Sequence, residues 1–249
     1  KTDSVARGEY PIDLHGSSDS QYLDADLGET KESIPNDWQY IKGGLFQIPA
    51  GVLIPEKING LLAAEKNISV SRTVNGATRL QPVTMLTGQA AGALAALAVK
   101  QKTQPREISV KEIQKTLISA KDRISLHRFD DLTENDSDWK YGEYAIVRGL
   151  LEPELENRFG SKTQLVFLEL RHIFEQLTGL RKTAIDRDPF EPVTCGTAAE
   201  WLTQLTEGEK CESALRPFIA ALKQNGENPL TKMVTAKIIW NWDDVKGEK

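Results

Sequence analysis

Residues 67–100 carry the side chains and spacings best suited to chemistry: a polar loop feeds a helix rich in Gly, Ala and Leu. Pro82 suits the first turn of a helix. Such a helix start carries about half a unit of positive charge and several unbonded N–H groups. Val83, Thr84 and Met85 would turn those groups toward an electron-rich ligand. Gly88 and Gly92 are four residues apart and share one helix face. A helical glycine costs about 1 kcal/mol relative to alanine. Two on one face signal a close approach to the backbone, by another helix or by a bound cofactor.

Two further residues are candidates for chemistry. His15 sits in the turn Asp13-Leu14-His15-Gly16. Its near-neutral pKa would let it position a substrate hydroxyl or carry its proton; a bond within its own turn is the plainer reading. Arg79 precedes the long helix and would hold a substrate anion or lock its loop through an ion pair. Metal chemistry finds less support. Asp24-Ala25-Asp26-Leu27-Gly28-Glu29 resembles an EF-hand loop until Pro35 falls where a glutamate is required. His15, His127 and His172 are dispersed, and no GxSxG, P-loop or HExxH occurs. Cys195 and Cys211 have no CxxC spacing; a disulfide and two separate thiols both stand open. Trp139, Trp201, Trp240 and Trp242 could stack on sugars, but at helical spacing such residues are more often core.

The elements that must position these residues follow from pattern. With 27% charged residues and a net charge of −5, the chain reads as globular and as a poor match for nucleic acid. The longest apolar run, 90–99, is too short to span a membrane and ends at Lys100. Short strands are expected at 44–48, 51–55 and 60–64, and a helix from about Pro82 to Gln101. Ser109-Val110-Lys111-Glu112 reads as a capping box for a helix ending near Ala120. Helical spacing then recurs at 141–151, 164–177, 197–205, 217–224 and 232–242. The break near 121–129 predicts two domains, 1–124 and 125–249. Aligning Thr163, Thr194 and Thr231 as helix caps brings Glu169, Glu200 and Lys237 into register. Leu170, Trp201 and Ile238 align as well, as do Phe174, Leu205 and Trp242. The pattern suggests a threefold repeat.

The segments VARGEYPIDLHG (5–16), QIPAGVLIPEKINGLLAAEKNISVS (47–71), NGATRLQPVTMLTGQAAGALAALAV (75–99) and PREISVKEIQ (105–114) together resemble one family. It is the C-terminal part of bacterial FAD-dependent oxidoreductases of the glutathione-reductase-like type, nearest the xanthan-lyase-like group. The resemblance implies an α+β fragment in which short strands and a long helix complete a flavoprotein fold. It implies FAD as cofactor, with two-electron transfer between substrate and flavin. Val83, Thr84, Met85, Gly88 and Gln89 would lie on the cofactor side, the helix start aimed at the flavin's pyrimidine edge. His15 and Arg79 would serve catalysis. Relatives often carry Gly where this chain has Glu65, whose side chain would reach a ribityl hydroxyl.

No GxGxxG, the glycine-rich turn that admits the pyrophosphate, occurs in the chain. The expectation is therefore the C-terminal portion of a longer flavoenzyme, inactive alone, whose partner is an N-terminal FAD-binding segment. Its substrate would be a small molecule or carbohydrate, and a periplasmic or secreted location is favoured over a cytoplasmic one.

The second half resembles S-layer homology repeats. Phe129-Asp130-Asp131-Leu132 with Trp139 looks like their opening, Gly149-Leu150-Leu151 like their middle, and Phe190-Glu191-Pro192-Val193-Thr194 like the lead into their second helix. Wall-binding members carry a TRAE-like motif at that helix start; here the arginine is missing three times and only Lys232 keeps a cation. Without the guanidinium fork, bidentate anion binding is lost. The expectation is an all-α, repeat-like scaffold. As an alternative function, it would be a non-catalytic interaction module for a polysaccharide or a protein.

Overall fold

The computed structural model describes residues 1–12, 44–178, 187–206 and 212–245. These form a mixed α+β structure of eight α-helices and one two-stranded antiparallel sheet. They divide into two compact units, Asp3–Ile113 and Lys1–Thr2 with Gln114–Lys249.

In the first unit, β1 (Ser4–Tyr10) pairs antiparallel with β2 (Gly44–Pro49), with Gly8 opposite Phe46. A side chain at Gly8 would collide with the Phe46 ring and with Val83, so glycine lets the strand pack close. Arg7 and Glu9 interrupt its apolar pattern, which is why β1 is not among the expected strands. The strands expected at 51–55 and 60–64 do not form. Ala50–Leu53 is a 3-10 turn, and 60–64 is irregular. Pro49 and Pro55 lack the N–H a ladder needs. Two backbone bonds hold this segment instead, Ala63 N–H to Leu53 O (2.8 Å) and Ser69 N–H to Val52 O (2.9 Å).

α1 (Arg72–Thr78) starts at Ser71, whose hydroxyl accepts the Val74 N–H at 3.3 Å. α2 (Gln81–Gln101) stops at Lys102, which adopts φ +54° and donates its N–H to Ala98 and Val99. Its buried residues Val83, Thr87, Ala90, Ala91, Leu94 and Ala98 recur at threes and fours, and the helix packs on β1. α2 is long and apolar enough to cross a membrane by length and composition alone, although 39% of its most apolar window is buried. The unbroken apolar run 90–99 understates this length. Threonine, glycine and glutamine extend the apolar helix without adding charge. α3 (Val110–Ser119) follows, and the division between the units falls inside it.

The described helices of the second unit are α4 (Trp139–Val147), α5 (Phe167–Thr178), α6 (Cys195–Thr206), α7 (Glu212–Asn225) and α8 (Lys232–Val245). α7 runs through Pro217, the residue expected to open it. Three lead-in segments close a ring of backbone hydrogen bonds. Leu165 N–H donates to Leu230 O (2.8 Å), Leu230 N–H to Val193 O (2.9 Å), and Val193 N–H to Leu165 O (2.8 Å). All three side chains are buried, and a helix follows two residues later in each case.

The ring corrects the expected alignment. Thr194 and Thr231 do cap, accepting the N–H of Thr197 (3.1 Å) and Val234 (3.3 Å). The residue immediately before α5 is Val166, not Thr163. Glu169 there accepts the Val166 N–H at 3.0 Å, the part Thr197 plays for Thr194. Ile173, Trp201 and Ile238, seven residues after Val166, Thr194 and Thr231, are all buried.

Candidate functional site

The first turn of α2 is half-covered: Gln81 and Pro82 are exposed, Val83 and Thr84 buried. Its N-cap is Leu80, which has no side-chain oxygen to offer and makes no capping hydrogen bond. Pro82 brings no N–H, and the Thr84 N–H is already donated to Leu80 O at 2.9 Å. The amides of this uncapped turn are therefore those of Gln81 and Val83, while Thr84 and Met85 lie past it. Gln81 escapes sequence reasoning because the proline after it marks the more obvious helix start. The Val83 side chain is buried; Met85 is 74% exposed, and Gln89 and Gly92 also face outward. Nothing described lies within 4 Å of where a Gly92 side chain would begin.

Gly88 has a different neighbour. A Cβ there would touch Glu65 Cγ at 3.7 Å. Glu65 occupies a four-residue turn closed by Asn67 N–H to Ala64 O (3.1 Å), and its φ is +58°. That backbone conformation favours glycine, which supplies a physical reason for the glycine in the resembling sequences. Thr87 ties this turn to α2, its hydroxyl lying 3.0 Å from Thr84 O and 3.4 Å from Glu65 O.

The loop ahead of Glu65 is clamped from behind. The Arg106 guanidinium donates to Pro55 O (2.9 Å), Glu56 O (3.0 Å) and Ile58 O (3.2 Å), and Gln104 Oε1 accepts the Gly60 N–H at 2.9 Å. Arg106 belongs to the resembling segment 105–114, but nothing near it in sequence marks it as a clamp. The carbonyls it holds are about fifty residues away along the chain.

A cavity of about 320 Å³ opens between the sheet and α1, walled chiefly by Tyr10, Phe46, Ile48, Val52, Val74 and Ala77. Among the described residues its wall contains no Asp, Glu, Lys, Arg or His. Tyr10 (39% exposed), Leu45 (42%) and Val74 (44%) leave apolar surface at the cavity. Thr78, also on the wall, is three residues before Gln81 along the chain; no described residue of α2 lines the cavity.

His15 and the Asp24–Pro35 stretch lie outside the described residues. Arg79 is half-buried and ends α1 through its N–H to Asn75 O at 3.1 Å.

In the second unit, Trp139 and Trp201 are core residues; Trp201 meets Phe167 and Phe174 edge-on. Trp240 is half-buried against Tyr141 and Tyr144. Lys232 is buried, donating to Glu152 O (3.1 Å) with Glu154 Oε1 at 3.8 Å, so its charge is used internally. Cys195 is a buried free thiol whose pKa burial pushes up; Cys211 is not among the described residues.

Glu143 carries no motif in the sequence, yet it is fully buried. Its Oε1 accepts the N–H groups of Ile124 (2.6 Å) and Ser125 (2.7 Å), and its Oε2 accepts the Ser125 hydroxyl (2.7 Å). Burial raises its pKa; the Ser125 and Ile124 donors and the Arg123 charge oppose that rise without overcoming it. It latches the segment after α3 onto α4. Among the described residues, no group of three or more His, Cys, Asp or Glu could hold a metal ion.

Residues 1–117 match the family described as FAD dependent oxidoreductase. That family implies an FAD cofactor. No curated protein and no solved structure matches the chain.

Proposed function

We propose that residues 1–117 form the cofactor-facing and substrate-side portion of an FAD-dependent oxidoreductase. The observation that carries this is the start of α2, where Leu80 provides no side-chain cap, lying within the segment that matches the family. When bound, FAD supplies two-electron redox chemistry. The Gln81 and Val83 amides and the positive end of α2 would favour negative charge on the ring they face. Met85 and Gln89 would border that ring, and Glu65 would hydrogen-bond the ribityl chain from its turn beside Gly88. Arg106 and Gln104 fix the Glu65 loop from the far side. His15 and Arg79 are assigned to the substrate. The chain contains no GxGxxG, so the pyrophosphate would be held by an N-terminal FAD-binding segment, a partner whose sheet would cover the Gly92 and Met85 face of α2.

The second unit reads as a scaffold. Its hydrogen-bonded ring supports a threefold repeat of the S-layer-homology kind, and the internal pairing of Lys232 speaks for structure over wall binding.

The test is flavin uptake. The chain alone should bind FAD weakly; joined to a segment bearing the glycine-rich turn, it should turn yellow. A joined, folded protein that stays colourless in excess FAD would refute the proposal.

A further inference from the structure

The cavity between the sheet and α1 has a chemical preference written into its wall. About 320 Å³ is enough for a molecule of roughly monocyclic size. No described wall residue bears a charge, so these residues offer an ionised ligand no countercharge for the hydration it would lose. The hydroxyl of Thr78 already donates to Val74 O at 3.3 Å. Among the described wall residues, polar side-chain atoms otherwise come from Tyr10 and Gln47. The surroundings are aliphatic and aromatic, and the half-exposed Tyr10, Leu45 and Val74 carry that character outward.

We infer that this cavity binds an uncharged, largely apolar small molecule carrying at most one or two hydrogen-bonding groups, and that sugars and organic acids are excluded from it. Its role as the substrate pocket rests on the flavoenzyme reading, since its wall belongs to the segment that matches that family. Its binding preference does not rest on that reading.

The test uses the full chain and N-phenyl-1-naphthylamine, an uncharged dye whose fluorescence rises in apolar surroundings. Benzyl alcohol should displace the dye at least tenfold more effectively than benzoate, its near-isostere with a charge, and glucuronate should not displace it. Val74→Trp, which places a bulky ring at a half-exposed wall position of α1, should abolish the displaceable signal while the circular dichroism spectrum is retained. Val74→Lys, a milder change, should narrow the gap between benzyl alcohol and benzoate by several-fold. Equal displacement by alcohol and carboxylate, absence of displaceable dye, or a signal unchanged in both variants would overturn the inference. Failure of the flavoenzyme reading would show itself separately, as a joined protein that takes up no FAD while the dye results stand.

Discussion

Glu143 shows how one buried carboxylate can organise a connection. Two backbone N–H groups and one hydroxyl converge on it within 2.7 Å. Removing the acceptor strands these donors, so Glu143→Ala should lower unfolding stability by about 2–4 kcal/mol in a denaturant titration. Glu143→Gln keeps one acceptor oxygen, and the Ser125 hydroxyl can turn to receive its amide, so the loss should be smaller. The folded pKa lies above the ordinary value of 4.5. A raised carboxyl pKa means that the folded state favours the proton. Its stabilising contribution is therefore complete below the unfolded value and lost as pH rises through the folded one. Stability measured upward from pH 4.5 should fall more steeply in the native chain than in Glu143→Gln; parallel profiles would refute this. Glu65 offers a simpler case. Its φ of +58° disfavours a side chain, so Glu65→Gly should raise stability by up to about 1 kcal/mol. A measurable loss would show that the Glu65 side chain contributes more than its backbone costs.

At the scale of elements, α2 has two unlike sides. One carries Val83, Leu94 and Ala98 into the core. The other exposes Met85, Gly92 and Val99. With open space beside Gly92, Gly92→Ala should gain about 1 kcal/mol of helix propensity in this chain, read as a higher unfolding midpoint. Gly92→Leu should fold equally well here. On the flavoenzyme reading it should nevertheless weaken assembly with the FAD-binding segment, because the larger side chain blocks the approach. Unimpaired assembly would remove Gly92 from that interface.

At the scale of the molecule, the second unit is organised by its ring of three backbone hydrogen bonds rather than by one dominant sheet. Each lead-in segment donates to one neighbour and accepts from the other. Breaking any link should loosen all three. Val193→Pro removes a donor and should cost about 2–4 kcal/mol, more than Val193→Ala, which loses only packing. Hydrogen exchange should show protection falling together at Leu165, Leu230 and the starts of α5, α6 and α8. Loss confined to α6 would mean that the three segments are independent.

Local chemistry makes α2 legible in the amino-acid sequence by itself. Its alanine and leucine content, Pro82 near the start and a repeat of three and four each depend on neighbours along the chain. The helical second half is readable for the same reason, and the segment matching the oxidoreductase family is visible in its motifs. The capping threonines Thr194 and Thr231 are found by type, while Val166 escapes because its place before α5 is set by pairing with the lead-in to α6, not by its own side chain. Glu143, the Arg106 clamp and the uncharged cavity are likewise hidden. A buried glutamate has the same letter as an exposed one, and only distant backbone groups brought within hydrogen-bonding distance tell them apart. Periodicity records which face a residue occupies on its own helix. What that face meets is decided by tertiary packing, since desolvation and hydrogen-bond completion depend on groups far away in sequence.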